Sequence, residues 1–142
     1  MGRRFDSIII GTGQAGPALA TRLAGAGEKV AIIERKYFGG TCVNTGCIPT
    51  KALVASAYAA NLARRSADYG VIIGGEINVD MTRVKARKDI ISGDASRAVE
   101  KWLKGTAGLS VFEGHARFES ATAVNGNNEV VEATKICINV GG

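Results

Sequence analysis

Proline, histidine and long apolar runs are all scarce in this chain. Of its 142 residues, 2 are proline and 1 is histidine. The low proline count excludes a Pro-rich linker, whereas 19 glycines favour tight turns and close approach of the backbone to a ligand. Hydrophobic residues make up 46% and charged residues 22%, which argues against disorder and against membrane-spanning segments. We expect one domain around one hydrophobic core at this length.

The chain also lacks the pattern of a targeting segment. Its first apolar run, at 8–10, ends in glycines and is too short for the core of a signal peptide. We therefore expect a cytoplasmic protein that binds no membrane. The formal charge of +5 comes from basic residues interleaved with acids and without aromatic partners. That pattern is typical of solvated helix faces, so we expect no nucleic-acid partner.

Hydrophobic periodicity predicts an α/β fold. A buried strand over 5–10, a helix over 14–26 and a second strand over 29–34 form a right-handed βαβ unit with parallel strands. The remaining predictions are a loop over 39–49, helices over 50–66 and about 80–104, and strands over 110–112, 116–118, 121–124 and 130–140. Asn125-Gly126 is a hairpin-turn signal. The sequence thus predicts a parallel sheet with flanking helices, followed by a small antiparallel β-meander.

The turn after the first strand carries a dinucleotide-binding pattern. Gly11 permits the tight turn, Gly13 lets the backbone approach a pyrophosphate, and Gly16 lets the helix pack on the strand. The helix N-terminus offers unpaired N–H groups to phosphates. Glu34 ends the second strand, from which a carboxylate reaches ribose hydroxyls. Together these features predict dinucleotide binding, but the motif alone does not choose between NAD and FAD.

Two cysteines five residues apart, Cys42 and Cys47, stand at the entry to a predicted helix. They can close a small disulfide ring, and a helix N-terminus favours thiolate over thiol, so redox chemistry is one interpretation. A structural disulfide is a second, which the cytosolic context disfavours. Zinc is a third, because Cys137 and His115 complete a Cys₃His count, although without clustered spacing. Spacing alone leaves all three open.

The segment GGTCVNTGCIPTK at 39–51 closely resembles the redox-active signature of the pyridine nucleotide-disulfide oxidoreductases, the family of lipoamide dehydrogenase, glutathione reductase and mercuric reductase. The segment GHARF at 114–118 is similar to the family's Gly-x-Ala segment, whose backbone meets the adenine. Residues 136–142 are similar to a strand that ends in Ala-Thr-Gly, here Val140-Gly141-Gly142. The resemblance covers essentially the whole chain and implies a Rossmann-like FAD-binding domain.

The resemblance implies a role for each matching residue. Cys47 would be the thiolate next to the flavin and Cys42 the interchange thiol that attacks substrate. Lys51 would sit near the reactive edge of the flavin, although it also fits an exposed helix lysine. The implied FAD contacts are Gly11, Gly13, Gly16, Glu34, Arg35, Gly40, Thr41, Lys51, His115, Ala116, Gly141 and Gly142. His115 does not match the family's acid–base histidine, and no metal ligands are implied.

The family's members are several times longer than this chain. The resemblance therefore implies that 1–142 is the N-terminal portion of an FAD-binding domain, truncated before the NAD(P)-binding and dimerisation domains. The full-length protein would be a homodimer that passes electrons from NAD(P)H through FAD to a disulfide or metal-ion substrate. The signature inclines slightly toward a mercuric-reductase-like or an uncharacterised reductase, over glutathione reductase. The isolated piece is expected to have no turnover. The alternative is a truncated flavin-binding module without reductase activity of its own.

Overall fold

Two apolar runs form the centre of a parallel sheet. A computed structural model describes residues 2–141 and places the fully buried Ile9 and Ile32 side by side on neighbouring strands. Continuous apolar runs such as these are typical of strands that are covered on both faces. The elements in chain order are β1 Arg3–Arg4, β2 Ser7–Ile10, α1 Ala15–Gly25, β3 Val30–Glu34, α2 Gly40–Asn44, α3 Cys47–Arg64, a 3₁₀-helix Ser66–Tyr69, α4 Met81–Lys104, β4 Leu109–Glu113, β5 Arg117–Phe118, β6 Ala123–Gly126, β7 Glu129–Glu132 and β8 Lys135–Ile138.

The strands form two sheets. The first has the order β4-β3-β2-β8 and all of its pairs are parallel. The second has the order β1-β7-β6-β5, in which β5, β6 and β7 pair antiparallel while β1 adds to β7 in parallel. The α/β architecture and the antiparallel meander are therefore confirmed.

The parallel sheet is the middle of three layers. One face packs on the second sheet, and the buried core there includes Ile8, Ile33, Phe112, Val124 and Val131. The other face packs on helices, and that core includes Ile9, Ile32, Ala20 of α1 and Leu103 of α4. Alternate residues of β2 and β3 point to opposite faces, so one apolar run supplies both cores. The carboxyl ends of the parallel strands meet at one edge, where ligands bind in folds of this type.

The structure corrects four details of the predicted elements. The loop over 39–49 contains the short helix α2, and α3 begins at Cys47 rather than at residue 50. The hairpin turn is made by Asn127 and Asn128, both with positive φ (56° and 62°), and Asn125-Gly126 belongs to β6. Asparagine tolerates the left-handed region, so Asn127 and Asn128 can form the two-residue turn in place of the predicted Asn125-Gly126. The predicted strand over 130–140 is two strands, β7 and β8, in different sheets.

The long helix α4 follows its predicted bounds closely. Asp80 caps its N-terminus, because the carboxylate accepts from the N–H groups of Thr82 (2.9 Å) and Arg83 (3.1 Å). Within residues 2–141, no helix has both the length and the apolar character needed to cross a membrane.

Candidate functional site

The phosphate turn joins β2 to α1 at the carboxyl edge of the parallel sheet. Gly11 has φ +99°, a conformation that side-chain-bearing residues rarely adopt, and its N–H donates to the carbonyl of Ile33 at 2.8 Å. A Cβ on Gly16 would collide with the carbonyl oxygen of Gly11, and one on Gly11 with the carbonyl oxygen of Asn139. Strand, turn and helix are thus packed backbone against backbone, in the arrangement that the glycine pattern predicted.

The side chain of Thr12 connects this turn to the end of β3. Its hydroxyl donates to Glu34 Oε2 at 2.5 Å, and the same oxygen accepts from the Thr12 N–H at 2.9 Å. Glu34 Oε1 accepts from the N–H of Lys36 at 2.9 Å. The N–H of Gly39 donates to the Thr12 hydroxyl at 3.2 Å. The carboxylate predicted to meet the ribose is therefore held in one orientation by the turn itself.

The loop that carries the cysteines lies directly against the phosphate turn. Gly39 and Gly40 both have positive φ, at 91° and 62°. A Cβ on Gly40 would lie 2.8 Å from the Cα of Gly13, closer than real Cβ contacts come. Glycine at position 40 is therefore required both by backbone conformation and by the close approach of two segments.

Cys42 and Cys47 are joined by a disulfide, with their Cα atoms 4.6 Å apart. Cys42 is in α2 and half-buried, whereas Cys47 is the first residue of α3 and exposed. Because α3 is 18 residues long and no side chain caps it, unpaired N–H groups and a partial positive charge surround Cys47. This arrangement stabilises a thiolate at Cys47 when the disulfide is reduced.

Hydrogen bonds from neighbouring side chains support the disulfide loop. The amide of Asn44 donates to the carbonyls of Phe38 and Gly40, both at 2.9 Å. Ser96 of α4 also donates to the Phe38 carbonyl, at 2.8 Å. The start of the loop is therefore held both by Ser96 of helix α4 and by Asn44 within the loop itself.

The turn, the end of β3 and the disulfide loop line one cavity of about 840 Å³. The predicted site residues that line it are Gly11, Gly13, Glu34, Arg35, Gly40, Thr41, Cys42, Cys47, His115, Ala116 and Gly141. Its size and the mixture of apolar surface with a few polar groups are typical of cofactor sites.

Of the predicted site residues that the structure describes, two do not line this cavity. Gly16 is buried, where it lets α1 pack against the turn. Lys51 is exposed, one helical turn beyond Cys47 and outside the lining. Gly142 lies outside the described residues.

Cys137 of β8 is partly buried and packs against the helix-side core, so it does not join the disulfide pair. In the part of the chain that the structure describes, no group of three or more metal-ligating side chains is assembled.

Several lining residues were not predicted from the sequence. Thr12 occupies a variable position of the glycine pattern, where nothing distinguishes a buried hydroxyl from a spacer. Asn139 and Val140 follow β8. They reach the cavity because β8 pairs with β2 and so ends at the same edge of the sheet. The only sequence signal for Asn139 was its place at the end of a predicted strand.

The residues present fit a flavin dinucleotide. Gly11 and Gly13 leave bare backbone facing the cavity, Glu34 offers a carboxylate there, and the disulfide borders the same space. A turn that a Cβ would obstruct, followed by a helix N-terminus, matches the requirements of a pyrophosphate.

A glycine-rich turn of the dinucleotide-binding type and a disulfide border one cavity, an arrangement typical of flavoprotein oxidoreductases, and comparison with known proteins agrees. The family model for pyridine nucleotide-disulphide oxidoreductases matches residues 5–142. The chain belongs to this family, whose members depend on FAD and use NAD(P)H as electron donor.

Individual relatives are dihydrolipoyl dehydrogenases and a flavoprotein disulfide reductase. The chain is 35% identical over 141 residues to the dihydrolipoyl dehydrogenase of Acholeplasma laidlawii, covering 99% of this chain and 42% of that protein. It is 36% identical over 143 residues to the enzyme of Chlorobaculum parvum, covering 97% of this chain and 30% of that protein. The Cu(II) complex of the HOCl-induced flavoprotein disulfide reductase RclA from Escherichia coli superposes with a TM-score of 0.81 at 31% identity, covering 99% of this chain and 29% of that chain. The chain thus spans less than half the length of these relatives.

Proposed function

We propose that this chain is the FAD-binding part of an NAD(P)H-dependent flavoprotein disulfide oxidoreductase and carries its redox-active disulfide. The observation that carries the proposal is a single cavity bordered by both the phosphate turn and the Cys42–Cys47 disulfide. A domain that only bound FAD would have no use for a disulfide beside the cofactor.

The chain's own residues would hold FAD along the cavity. The backbone of Gly11 and Gly13 would face the pyrophosphate, and Glu34 and Arg35 would meet the adenosine. Gly40 and Thr41 would lie along the phosphates and the ribityl chain. The further proposed contacts are His115 and Ala116 at the adenine and Gly141 near the flavin nucleotide. Gly142, which lies outside the described residues, is proposed as a contact from the family signature alone.

Bound FAD would supply two electrons, taken from NAD(P)H, to the disulfide. Reduction would break the bond between Cys42 and Cys47, with one proton taken up at Cys42 as a thiol and a thiolate left at Cys47, which the N-terminus of α3 stabilises. Cys42 then attacks a disulfide substrate and releases one substrate thiol. Cys47 attacks the mixed disulfide, which releases the second thiol and restores the Cys42–Cys47 bond. The two electrons end on the substrate, and the solvent supplies the protons.

The substrate class is a disulfide or, as the alternative, a metal ion. The dihydrolipoyl dehydrogenases favour a dithiol–disulfide couple. The Cu(II) complex of RclA favours the metal-ion alternative. For the whole protein we propose an NAD(P)-binding region, homodimerisation and a cytoplasmic location.

The second candidate function is a flavin-binding module without reductase activity, which the formed disulfide disfavours.

Flavin binding to the purified chain tests the proposal. We expect FAD to bind saturably in a fluorescence titration. Glu34→Gln removes the carboxylate charge that is proposed to accept hydrogen bonds from the ribose. Losing charge-assisted hydrogen bonds costs about 1.5–3 kcal/mol, so we expect FAD to bind roughly 10- to 100-fold more weakly. Glu76→Gln, in an exposed part of the connector after α3, is the matched control and should bind FAD like the unmodified chain. A chain that binds no flavin and holds stoichiometric zinc would contradict the proposal.

A further inference from the structure

The hydroxyl of Thr12 lies between two groups that belong to different parts of the site. Thr12 is completely buried. A hydroxyl has one hydrogen to donate, and here it goes to Glu34 at 2.5 Å, which leaves the oxygen lone pairs to accept from the N–H of Gly39 at 3.2 Å. One side chain thereby satisfies a carboxylate on β3 and a buried backbone donor at the start of the disulfide loop.

The two partners have separate tasks in the proposed function. Glu34 is the carboxylate assigned to the adenosine ribose. Gly39 precedes α2 and stands three residues before Cys42. Its N–H is buried, and a buried donor without an acceptor costs about 1–3 kcal/mol. The Thr12 oxygen is therefore one of the groups that hold the loop, beside Asn44 and Ser96, and one of those that orient the carboxylate, beside the N–H groups of Thr12 and Lys36.

We propose that Thr12 is a positioning residue that couples adenosine recognition to the placement of the redox disulfide. This inference rests on the proposed function and deepens it. Thr12 acts through Glu34 on one side and through Gly39 on the other. Loss of the hydroxyl leaves the Gly39 N–H without its acceptor and removes one of the three hydrogen bonds that orient the Glu34 carboxylate.

Thr12→Val and Thr12→Ser separate the hydroxyl from the shape of the side chain. Valine keeps the branched shape and removes both hydrogen bonds, whereas serine keeps both bonds and removes one methyl group. The first measurement is hydrogen exchange at the Gly39 amide by NMR, without FAD. We expect faster exchange in Thr12→Val, by about fivefold or more, and near-normal exchange in Thr12→Ser.

The second measurement is the equilibrium of the Cys42–Cys47 disulfide with glutathione, also without FAD. Freeing the loop at Gly39 lowers the effective concentration of each thiol for the other, so we expect the equilibrium of Thr12→Val to move about fivefold toward the reduced form. Thr12→Ser should keep the original equilibrium. A purely structural role would lower the thermal stability of Thr12→Val and leave this equilibrium unchanged.

The third measurement is a double-mutant cycle on FAD affinity with Glu34→Gln. Because Thr12 acts on adenosine through Glu34, we expect Thr12→Val to weaken FAD binding about tenfold alone and far less when Glu34 is already replaced. Should Thr12→Val not fold, Thr12→Ala replaces it, since alanine also lacks the hydroxyl that donates to Glu34 and accepts from Gly39.

A folded Thr12→Val or Thr12→Ala chain with unchanged Gly39 exchange and an unchanged glutathione equilibrium would overturn the inference. Strictly additive effects of Thr12→Val and Glu34→Gln on FAD affinity would overturn it equally. If the unmodified chain binds no FAD, the proposed function fails by itself, and the two measurements without FAD still decide whether Thr12 holds the loop.

Discussion

The backbone of Gly40 lies so close to Gly13 that a Cβ on Gly40 would come within 2.8 Å of the Gly13 Cα. Gly13 belongs to the phosphate turn and Gly40 begins α2, which carries Cys42. The two segments are separated by one strand and one helix in the sequence, yet they touch through bare backbone. This contact brings the Cys42–Cys47 disulfide to the cavity that the glycine-rich turn also lines.

Replacing Gly40 by alanine should therefore disrupt the site beyond the cost of backbone strain. Gly40→Ala combines a positive φ of 62° with the collision at Gly13, so we expect a loss of stability of more than about 1–2 kcal/mol and weaker FAD binding. Gly70→Ala is the matched control, because Gly70 has a φ of 74° but open space around its Cβ position. It should show the strain alone, with normal FAD affinity. Urea denaturation and flavin titration check both variants, and equal behaviour would refute the role of the contact.

The two cysteines should differ in how FAD affects their reactivity. In the reduced Cys42→Ser chain, Cys47 remains, and we expect FAD to slow its alkylation because the flavin covers this thiol. In the reduced Cys47→Ser chain, Cys42 remains, and FAD should leave its alkylation rate nearly unchanged. Mass spectrometry of alkylated peptides measures both rates, with Cys137 as the internal reference in each chain. Protection of Cys42 instead of Cys47 would reverse the assigned roles.

The pairing of Glu28 with Lys135 should make stability depend on pH in the acid range. Hydrogen bonds from Lys135 and then from Ser7 hold the pKa of Glu28 below its ordinary value. A lowered pKa in the folded state stabilises the fold above the ordinary pKa of a glutamate, and this contribution is lost as the pH falls through the lowered value. We expect Glu28→Gln to lower the free energy of unfolding at neutral pH and to converge with the unmodified chain in acid. A constant difference across this range, measured by urea denaturation, would refute the linkage.

Arg87 should matter for the attachment of α4 to α3. Its Nη1 donates to the carbonyl of Ala52 at 3.0 Å and to the Ser56 hydroxyl at 3.3 Å. We expect Arg87→Ala to cost about 1–2 kcal/mol of stability, since two hydrogen bonds from a charged group are lost at a partly exposed site. Arg83→Ala, at an exposed position of the same helix, should change stability by less than about 0.5 kcal/mol. Similar denaturation midpoints for the two variants would show that the contact contributes nothing.

Much of this architecture follows from local sequence patterns. The strands β2 and β3 are predicted by continuous apolar runs, because strands that are covered on both faces need apolar residues at successive positions. The helix α4 is predicted by apolar residues at three- and four-residue spacing, because a surface helix buries one stripe. The phosphate turn was predictable because Gly11 and Gly16 are required by backbone geometry. The helix α2 was not, since Gly39 precedes it and Gly40 is its first residue, and its stability comes from Asn44 and from packing on α4. The role of Thr12 also escaped prediction, because its partners are 22 and 27 residues away in the sequence.

The most direct test of the central claim is the absorption spectrum of the FAD-loaded chain during anaerobic reduction of its disulfide. We predict a long-wavelength band from the Cys47 thiolate to oxidised flavin, which appears when the disulfide opens. The band should persist in Cys42→Ser and be absent in Cys47→Ser. A flavin spectrum that is the same in all three chains before and after reduction would contradict the account, because the disulfide would then not lie beside the flavin.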